Sequence, residues 1–448
     1  MGMPKEKRES ARVSRALLRP PGLRMADMFV VGCMIALSFL FSQIPLNTDL
    51  EITSSFSYAY LEGHFIDFNS YNMAVFAGSN KYISYLQPLY LIIAAWCIPL
   101  KLFGLTAHAA QGVFTLGDAE RAWIKLLLAL FFLLCALIVQ KIARLIAPDR
   151  QSSKLCVFLF VSSPLAIYTI FLFNGYDIFS LTFILLGLYA FLRHKRWQFL
   201  LWFALAIPFK FFALLPFVPL LLLDEKNFWK ILRGLVIAAA PTLACYYVSS
   251  LDPGGNTLWL LEWADKHAIT LNLGTTMMPL IFLLAYLSIC LFAYFKNAGD
   301  GRERQKYAIF LPLAAFSIIF IVLFWHPQWV ILLTPFLALA FPFSPNRKLT
   351  LLSETLSTAA LFAGIVYTYF FGMAHNPRAE FPPHPYIDTV LLPCLLAPFI
   401  IQYIYRKQEE CPAPALTKNE VGWLRLRCYG GLAAMVAHLL IFGALVLR

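Results

Sequence analysis

Apolar runs of roughly 18 or more residues recur from one end of this 448-residue chain to the other. Each is about the length of helix that crosses a hydrocarbon layer of ~30 Å. Inside such a layer the backbone must satisfy its own hydrogen bonds, which leaves helices as the natural spanning element for runs of this kind. With 60% hydrophobic residues, 13% charged residues and a mean hydropathy of +0.70, the chain has more apolar surface than a water-soluble fold could bury. The sequence therefore predicts an all-α, polytopic membrane protein. The apolar spans are approximately 27–45, 122–146, 154–173, 176–194, 197–209, 210–223, 229–250, 276–295, 307–325, 329–342, 350–371, 388–405 and 429–447, about thirteen transmembrane helices. No polar stretch is long enough for a separate soluble domain, so the chain reads as one membrane domain.

Charge sets the orientation. The formal charge of +12 fits basic residues gathered on the cytoplasmic side of a membrane protein better than a nucleic-acid partner, and none is expected. Seven Lys and Arg lie in the first 25 residues, before an apolar run with no small-residue cleavage site. This reads as an uncleaved signal anchor with a cytoplasmic N-terminus. Segment 85–104 is also apolar. If it forms a re-entrant or interfacial hairpin, 28 of the 36 Lys and Arg fall inside; if it crosses, the majority falls outside. The first version is predicted. Spans 197–209 and 210–223 are each about 20 Å long as helices, and read as a short hairpin whose turn, Ile207-Pro208-Phe209-Lys210, lies in a polar cavity below the outer surface. The alternative joins them into one span kinked at Pro208 and lets 85–104 cross.

In the predicted arrangement the chemistry-bearing residues converge on the external face. The first external loop, 46–121, opens with Asp49 and Glu51 in Asn47-Thr48-Asp49-Leu50-Glu51-Ile52, and a third acid, Asp67, follows. In extended chain, Asp49 and Glu51 point the same way. Between them and Asp67, the stretch from Ser54 to Gly63 reads as an interfacial helix stopped by glycine. A carboxylate at such a face can act as general base toward a hydroxyl; the same acids also suit a solvated loop or a helix cap. Lys210, among apolar neighbours in Phe209-Lys210-Phe211-Phe212, is costly at membrane depth and reads as functional, with phosphate as its counter-ion; snorkelling to the interface is the plain reading. His326 and Gln328, in Trp325-His326-Pro327-Gln328-Trp329, can hydrogen-bond a phosphate oxygen and a sugar hydroxyl, while Trp325 and Trp329 suit interface anchors.

Asn174 and Asp177 occupy another external turn, where they are candidates to bind substrate and also suit a helix cap. Tyr85, which begins the re-entrant segment, is a candidate to bind substrate and also suits the interface belt. Glu262 and Trp263, in the second external loop (251–275), could grip a sugar. The nine cysteines read as small core hydrophobes, and the eight histidines lack ligand spacing. No cofactor and no metal are expected, with metal dependence left open because Asp67 can complete a set with Asp49 and Glu51.

These motifs together resemble the GT-C superfamily of membrane glycosyltransferases, which use polyprenyl- or dolichyl-phosphate sugars. Thr48-Asp49-Leu50-Glu51 resembles the acid that opens that superfamily's first loop. Tyr85-Leu86-Gln87-Pro88-Leu89-Tyr90 is similar to its Tyr-Pro-Pro-Leu element, with Gln87 in place of the first proline. Ser163-Pro164-Leu165 through Asn174-Gly175-Tyr176-Asp177, and Phe209-Lys210-Phe211-Phe212-Ala213-Leu214-Leu215-Pro216, resemble elements of dolichol-pathway glucosyltransferases and GPI mannosyltransferases. The resemblance implies a catalytic membrane module over 1–250 and a variable set of helices over 251–448. It implies inverting transfer of a hexose, mannose or glucose, at the extracytoplasmic face. Asp49 would be the base, with Lys210 near the donor phosphate.

A polyprenyl-phosphate sugar donor, a lipid-linked or envelope glycan acceptor and membrane lipid are the expected partners, and a bacterial plasma membrane the expected location. A lipid-linked sugar flippase or transporter, and an O-antigen ligase or polymerase, are the alternatives. The acids cluster outside rather than at the midplane, and 372–387 carries few Arg and His, which argues against both.

Overall fold

The computed structural model describes residues 23–41, 49–75, 85–106, 116–147, 149–172, 174–252, 277–297, 299, 301–322, 327–344, 346–367 and 416–446, and all regular structure among them is helical. Helix α1 (Met25–Phe41) is largely apolar, with Asp27 in its first turn. Helix α2 (Asp49–Leu61) opens on an acid, which the helix dipole favours. It closes on Gly63, at φ 96°, in a Schellman motif: Gly63 N–H donates to Tyr60 O and His64 N–H to Ala59 O. The glycine stop is where the sequence puts it, but the helix starts at Asp49. Asp49 and Glu51 are therefore helical rather than extended, and their positions fall about 200° apart around the axis.

Next come α3 (Phe68–Val75) and α4 (Gln87–Leu102), the latter with Pro88 in its first turn and a second Schellman close at Gly104. The long α5 (Asp118–Ile146) follows. The expected span 154–173 is a bent pair, α6 (Arg150–Val161) and α7 (Pro164–Phe171), with 42° between them. Helix α8 (Asp177–Leu192) leads to α9 (Arg196–Phe209), α10 (Leu214–Asp224) and α11 (Phe228–Ser250). Helices α12 (Met277–Phe295) and α13 (Arg302–Val322) come next. The expected span 329–342 is instead the short α14 (Thr334–Ala340) between 3₁₀ turns at Pro327–Leu332 and Phe341–Phe343, all of it buried save Phe343 among the residues whose exposure is described. The chain closes with α15 (Arg347–Tyr367) and α16 (Lys418–Val446). Among the described residues, α5 and α11 are each long and apolar enough to cross a membrane, and α6 with α7 passes as a pair. Segment 388–405 lies outside the described residues.

The hairpin reading of 197–223 fits the structure. Arg196 and Glu225, at the far ends of α9 and α10, meet at 2.5 Å. The tip between them is Lys210, in extended conformation just after Pro208. Helix α4 likewise has both ends at one end of the bundle. Its Gln87 amide donates to Ser249 at the close of α11, and Trp96 stacks on Trp123 near the start of α5 with ring centroids 4.9 Å apart. Each indole N–H of that pair donates to the other's carbonyl, at 2.8 and 2.9 Å. Lys101 donates to Leu61 O at the close of α2. At this same end, the Asp252 carboxylate accepts the Asn69 and Ser70 N–H groups at 2.6 and 3.0 Å, capping α3.

At the opposite end several helices finish and leave carbonyls without helical partners. Basic side chains serve them. Arg302 donates to Ile146 O, and Lys226 to Leu222 O, Ala293 O and Lys296 O at 2.7, 2.9 and 3.2 Å. Arg304 reaches Phe191 O and pairs with Asp224 at 2.6 Å. The cluster of positive charge thus caps helix C-termini, where the dipole favours cations.

A buried ion pair lies at the α6–α7 bend. At the α6–α7 bend, Ser163 N–H turns to Phe160 O, which frees Leu159 O. Arg427, on α16 and fully buried, donates to Leu159 O at 2.5 Å, to Ser162 Oγ at 2.8 Å and to Glu354 on α15 at 2.7 Å. The Ser163 hydroxyl also donates to Glu354, at 2.8 Å. Glu354→Gln strands the guanidinium in the interior and is expected to lower stability by about 3–5 kcal/mol. Thermal unfolding in detergent reads the loss, and an unchanged melting temperature would contradict it. Arg427→Leu with Glu354→Leu is expected to recover most of the stability, because a neutral packed pair removes the desolvation cost.

Candidate active site

Lys210 sits at the hairpin tip because Pro208 supplies no backbone donor and the chain leaves the helix there. Its side chain is 16% exposed, and Nζ lies 3.2 Å from Oδ1 of Asp177, whose side chain is fully buried. Asp177 is the first residue of α8, so the helix dipole stabilises its charge as well. Three rings surround the ammonium: Tyr85 at 4.7 Å, Trp329 at 5.2 Å and Phe212 at 5.4 Å from Nζ to the centroid. Ring faces attract a cation, more so where water is scarce. The result is a preformed cationic point held among aromatic rings, with Asp177 as its countercharge among the described residues.

Tyr176 joins this cluster to the first loop. It is buried, its hydroxyl donates to Leu50 O at 3.4 Å, and its ring lies 6.4 Å from that of Tyr85. The first turn of α2, which opens at Asp49, therefore adjoins the surroundings of Lys210.

The neighbouring turns are polar and buried. Asn174 has φ 54°, a left-handed conformation that asparagine tolerates better than most residues. Gly175 beside it donates to Thr169 O at 3.0 Å, and a Cβ at Gly175 would lie 3.2 Å from that same oxygen. Asn174 Oδ1 and Gln328 Oε1 are buried with no hydrogen-bond partner among the described residues. Buried acceptors of this kind call for a donor. Asn174 is three residues before Asp177, and Gln328 is next to Trp329, so both belong to the same region.

The structure places Asp177 and Tyr85 against Lys210, with Asn174 on the turn before Asp177 and Gln328 on the turn that carries Trp329. Asp67 is elsewhere. It pairs with His64 at 2.8 Å, its side chain is 56% exposed, and it lies beyond the far end of α2. That helix alone is about 18 Å long. Asp67 thus does not join Asp49 as the sequence reading allowed, because a rigid helix separates them. Asp49 and Glu51 are described as helix positions only, and His326, Glu262 and Trp263 lie outside the described residues. Among the described residues, no three His, Cys, Asp or Glu side chains come together as a metal-binding group.

Two neighbours of Lys210, Trp329 and Phe212, escaped the sequence reading. Trp329 reads as an interface anchor but is 5% exposed, with its ring against Phe212. Phe212 reads as membrane filling. Asp177 is a candidate in the sequence, as a substrate-binding residue or a helix cap, but its pairing with Lys210 carries no local signal. The nearest available hint is that both end apolar runs on the same predicted face.

No protein-family model matches the chain, and no curated protein sequence does. Among solved structures the chain is similar to ArnT from Cupriavidus metallidurans in the apo state, at 14% identity over 93% of this chain and 77% of that one, with a TM-score of 0.46. It is also similar to ArnT from Cupriavidus metallidurans bound to undecaprenyl phosphate, at 13% identity over 92% of this chain and 76% of that one, with a TM-score of 0.48.

Proposed function

We propose that the protein is an inverting glycosyltransferase of the GT-C kind. It moves a hexose, mannose or glucose, from a polyprenyl-phosphate carrier to a lipid-linked or envelope glycan at the extracytoplasmic face of a bacterial plasma membrane. The observation that carries this reading is the aromatic-ringed Lys210 at the hairpin tip, adjoining the helix that opens at Asp49. The motif resemblance in the sequence points the same way.

The chemistry follows from charge. A polyprenyl-phosphate sugar is a phosphodiester with one negative charge. When the anomeric bond breaks, the departing polyprenyl phosphate carries two. A fixed cation beside the leaving oxygen therefore favours the transition state over the bound donor, which is the condition for faster chemistry. Asp177 supplies the countercharge that keeps such a cation tolerable among rings while no donor is bound. The acceptor hydroxyl attacks from the opposite face of the sugar, and Asp49 takes its proton as the new bond forms. No glycosyl-enzyme intermediate is needed, and one base suffices. The helical register turns Glu51 away from the Asp49 side, so Glu51 is assigned a supporting role. Asn174 Oδ1 and Gln328 Oε1 accept hydrogen bonds from sugar hydroxyls, and His326 assists at the phosphate. Glu262 and Trp263 contribute to the acceptor side. On this reading residues 1–250 form the catalytic module.

A transfer assay tests the class. The full chain in lipid is given radiolabelled polyprenyl-phosphate mannose or glucose with an envelope lipid extract as acceptor. Label is expected to move into the acceptor. Saturable donor uptake across the bilayer without any transfer would refute the enzyme and favour the flippase.

A further inference from the structure

Helices α9 and α11 begin side by side at the end of the bundle opposite Lys210. Arg196 ties them together, pairing with Glu225 at 2.5 Å and reaching Lys230 O at 3.5 Å. Across 193–196 and 225–233 the chain carries Arg193, Lys195, Arg196, Lys226, Lys230 and Arg233 against the single acid Glu225. That acid is engaged: it accepts the Lys226 and Asn227 N–H groups at 3.1 and 3.0 Å as well as the Arg196 guanidinium. Partial burial pushes its carboxyl up, but the Asn227 N–H and Arg196 hold it below the usual carboxylate range. Lys226 is turned inward onto helix carbonyls. The Lys230 side chain is 65% exposed, and its ammonium is 3.9 Å from Glu225. Arg233 is one turn on, three residues from Lys230 and so on the same helix face.

Large aromatic side chains stand exposed around these cations. Trp197, Phe228 and Trp229 are 65%, 65% and 72% exposed. The Arg233 guanidinium lies over the Trp197 ring at 5.4 Å, and Phe228 packs edge-on against Trp229 at 5.4 Å. Further along the same helices the exposed residues turn aliphatic: Leu201 and Leu205 on α9, Val236 and Leu243 on α11. A water-soluble anion would need only the cations. Cations at the helix ends, indoles beside them and an aliphatic surface below match all three layers of a phospholipid: charged headgroup, interface and acyl chain.

We propose that this surface is a binding site for an anionic phospholipid, with the headgroup phosphate at Lys230 and Arg233 and the acyl chains along the exposed faces of α9 and α11. It is separate from the Lys210 site, about one hairpin length away, and does not depend on what that site does. A basic residue near an anionic headgroup contributes roughly five-fold in affinity.

The test is native mass spectrometry of the full chain in detergent, titrated with phosphatidylglycerol or phosphatidylcholine. The wild type is expected to retain phosphatidylglycerol at least ten-fold more strongly. Lys230→Gln with Arg233→Gln should reduce that preference to about the phosphatidylcholine level, with an unchanged melting temperature in phosphatidylcholine. Trp197→Ala should weaken retention of phosphatidylglycerol as well. Equal retention of the two lipids by wild type would overturn the proposal, as would undiminished preference in a folded double variant. Full displacement of phosphatidylglycerol by millimolar inorganic phosphate would also overturn it, since the site would then read only the anion.

Discussion

Lys210→Met is expected to reduce sugar transfer by 100-fold or more while leaving the helices in place. Methionine keeps most of the length and the apolar stem of lysine, so packing against Tyr85, Phe212 and Trp329 changes little. What disappears is the cation at the leaving phosphate, and removing one such stabilising group typically costs ~10²–10³ in rate. The substitution also strands Asp177, whose side chain is fully buried. That alone predicts a loss of about 3–5 kcal/mol in stability. The two effects are separable. Lys210→Met with Asp177→Asn removes both charges and should melt close to wild type, yet remain inactive. If this neutral pair recovers transfer together with stability, the role of Lys210 is structural only.

Asp49→Asn is expected to lower the transfer rate by ~10²–10⁴, the range that a positioned general base contributes. Asparagine preserves shape and can still start a helix, so α2 and its contact to Tyr176 through Leu50 O should persist. Donor binding should be nearly unchanged, because the base acts on the acceptor. Glu51→Gln serves as the comparison. Its position lies about 200° from Asp49 around α2, and a change of less than ten-fold is expected. Transfer rates measured at saturating donor distinguish the two. Equal losses from both variants would mean that the acids act as a pair and that the single-base assignment is wrong.

Much of the scaffold around this site is legible in the sequence, for local reasons. Gly63 marks the end of α2 because a left-handed residue closes a Schellman motif there. Pro208 followed by a lone lysine marks the hairpin tip because helix hydrogen bonding and apolar burial fail together at that point. The charge balance favours a non-crossing 85–104, and the structure puts both ends of α4 at one end of the bundle. Long-range pairing is less legible. Nothing local to Asp177 announces Lys210, and nothing local to Arg427 announces Glu354, although each pair determines how helices distant in sequence meet. Two acids spaced by one residue look co-directional until the helix register is known. An apolar run such as 329–342 does not reveal whether it meets lipid or protein. Here protein surrounds most of it, and Trp329 turns inward to the Lys210 cage.

The most direct test of the account is equilibrium binding of polyprenyl phosphate to purified wild type, Lys210→Met with Asp177→Asn, and Asp49→Asn, with folding checked by thermal unfolding. Wild type and Asp49→Asn are expected to bind with similar Kd, while the Lys210 variant weakens by ten-fold or more, equivalent to about 1.4 kcal/mol. Wild-type affinity in the Lys210 variant would put the lipid phosphate somewhere else and contradict the central claim.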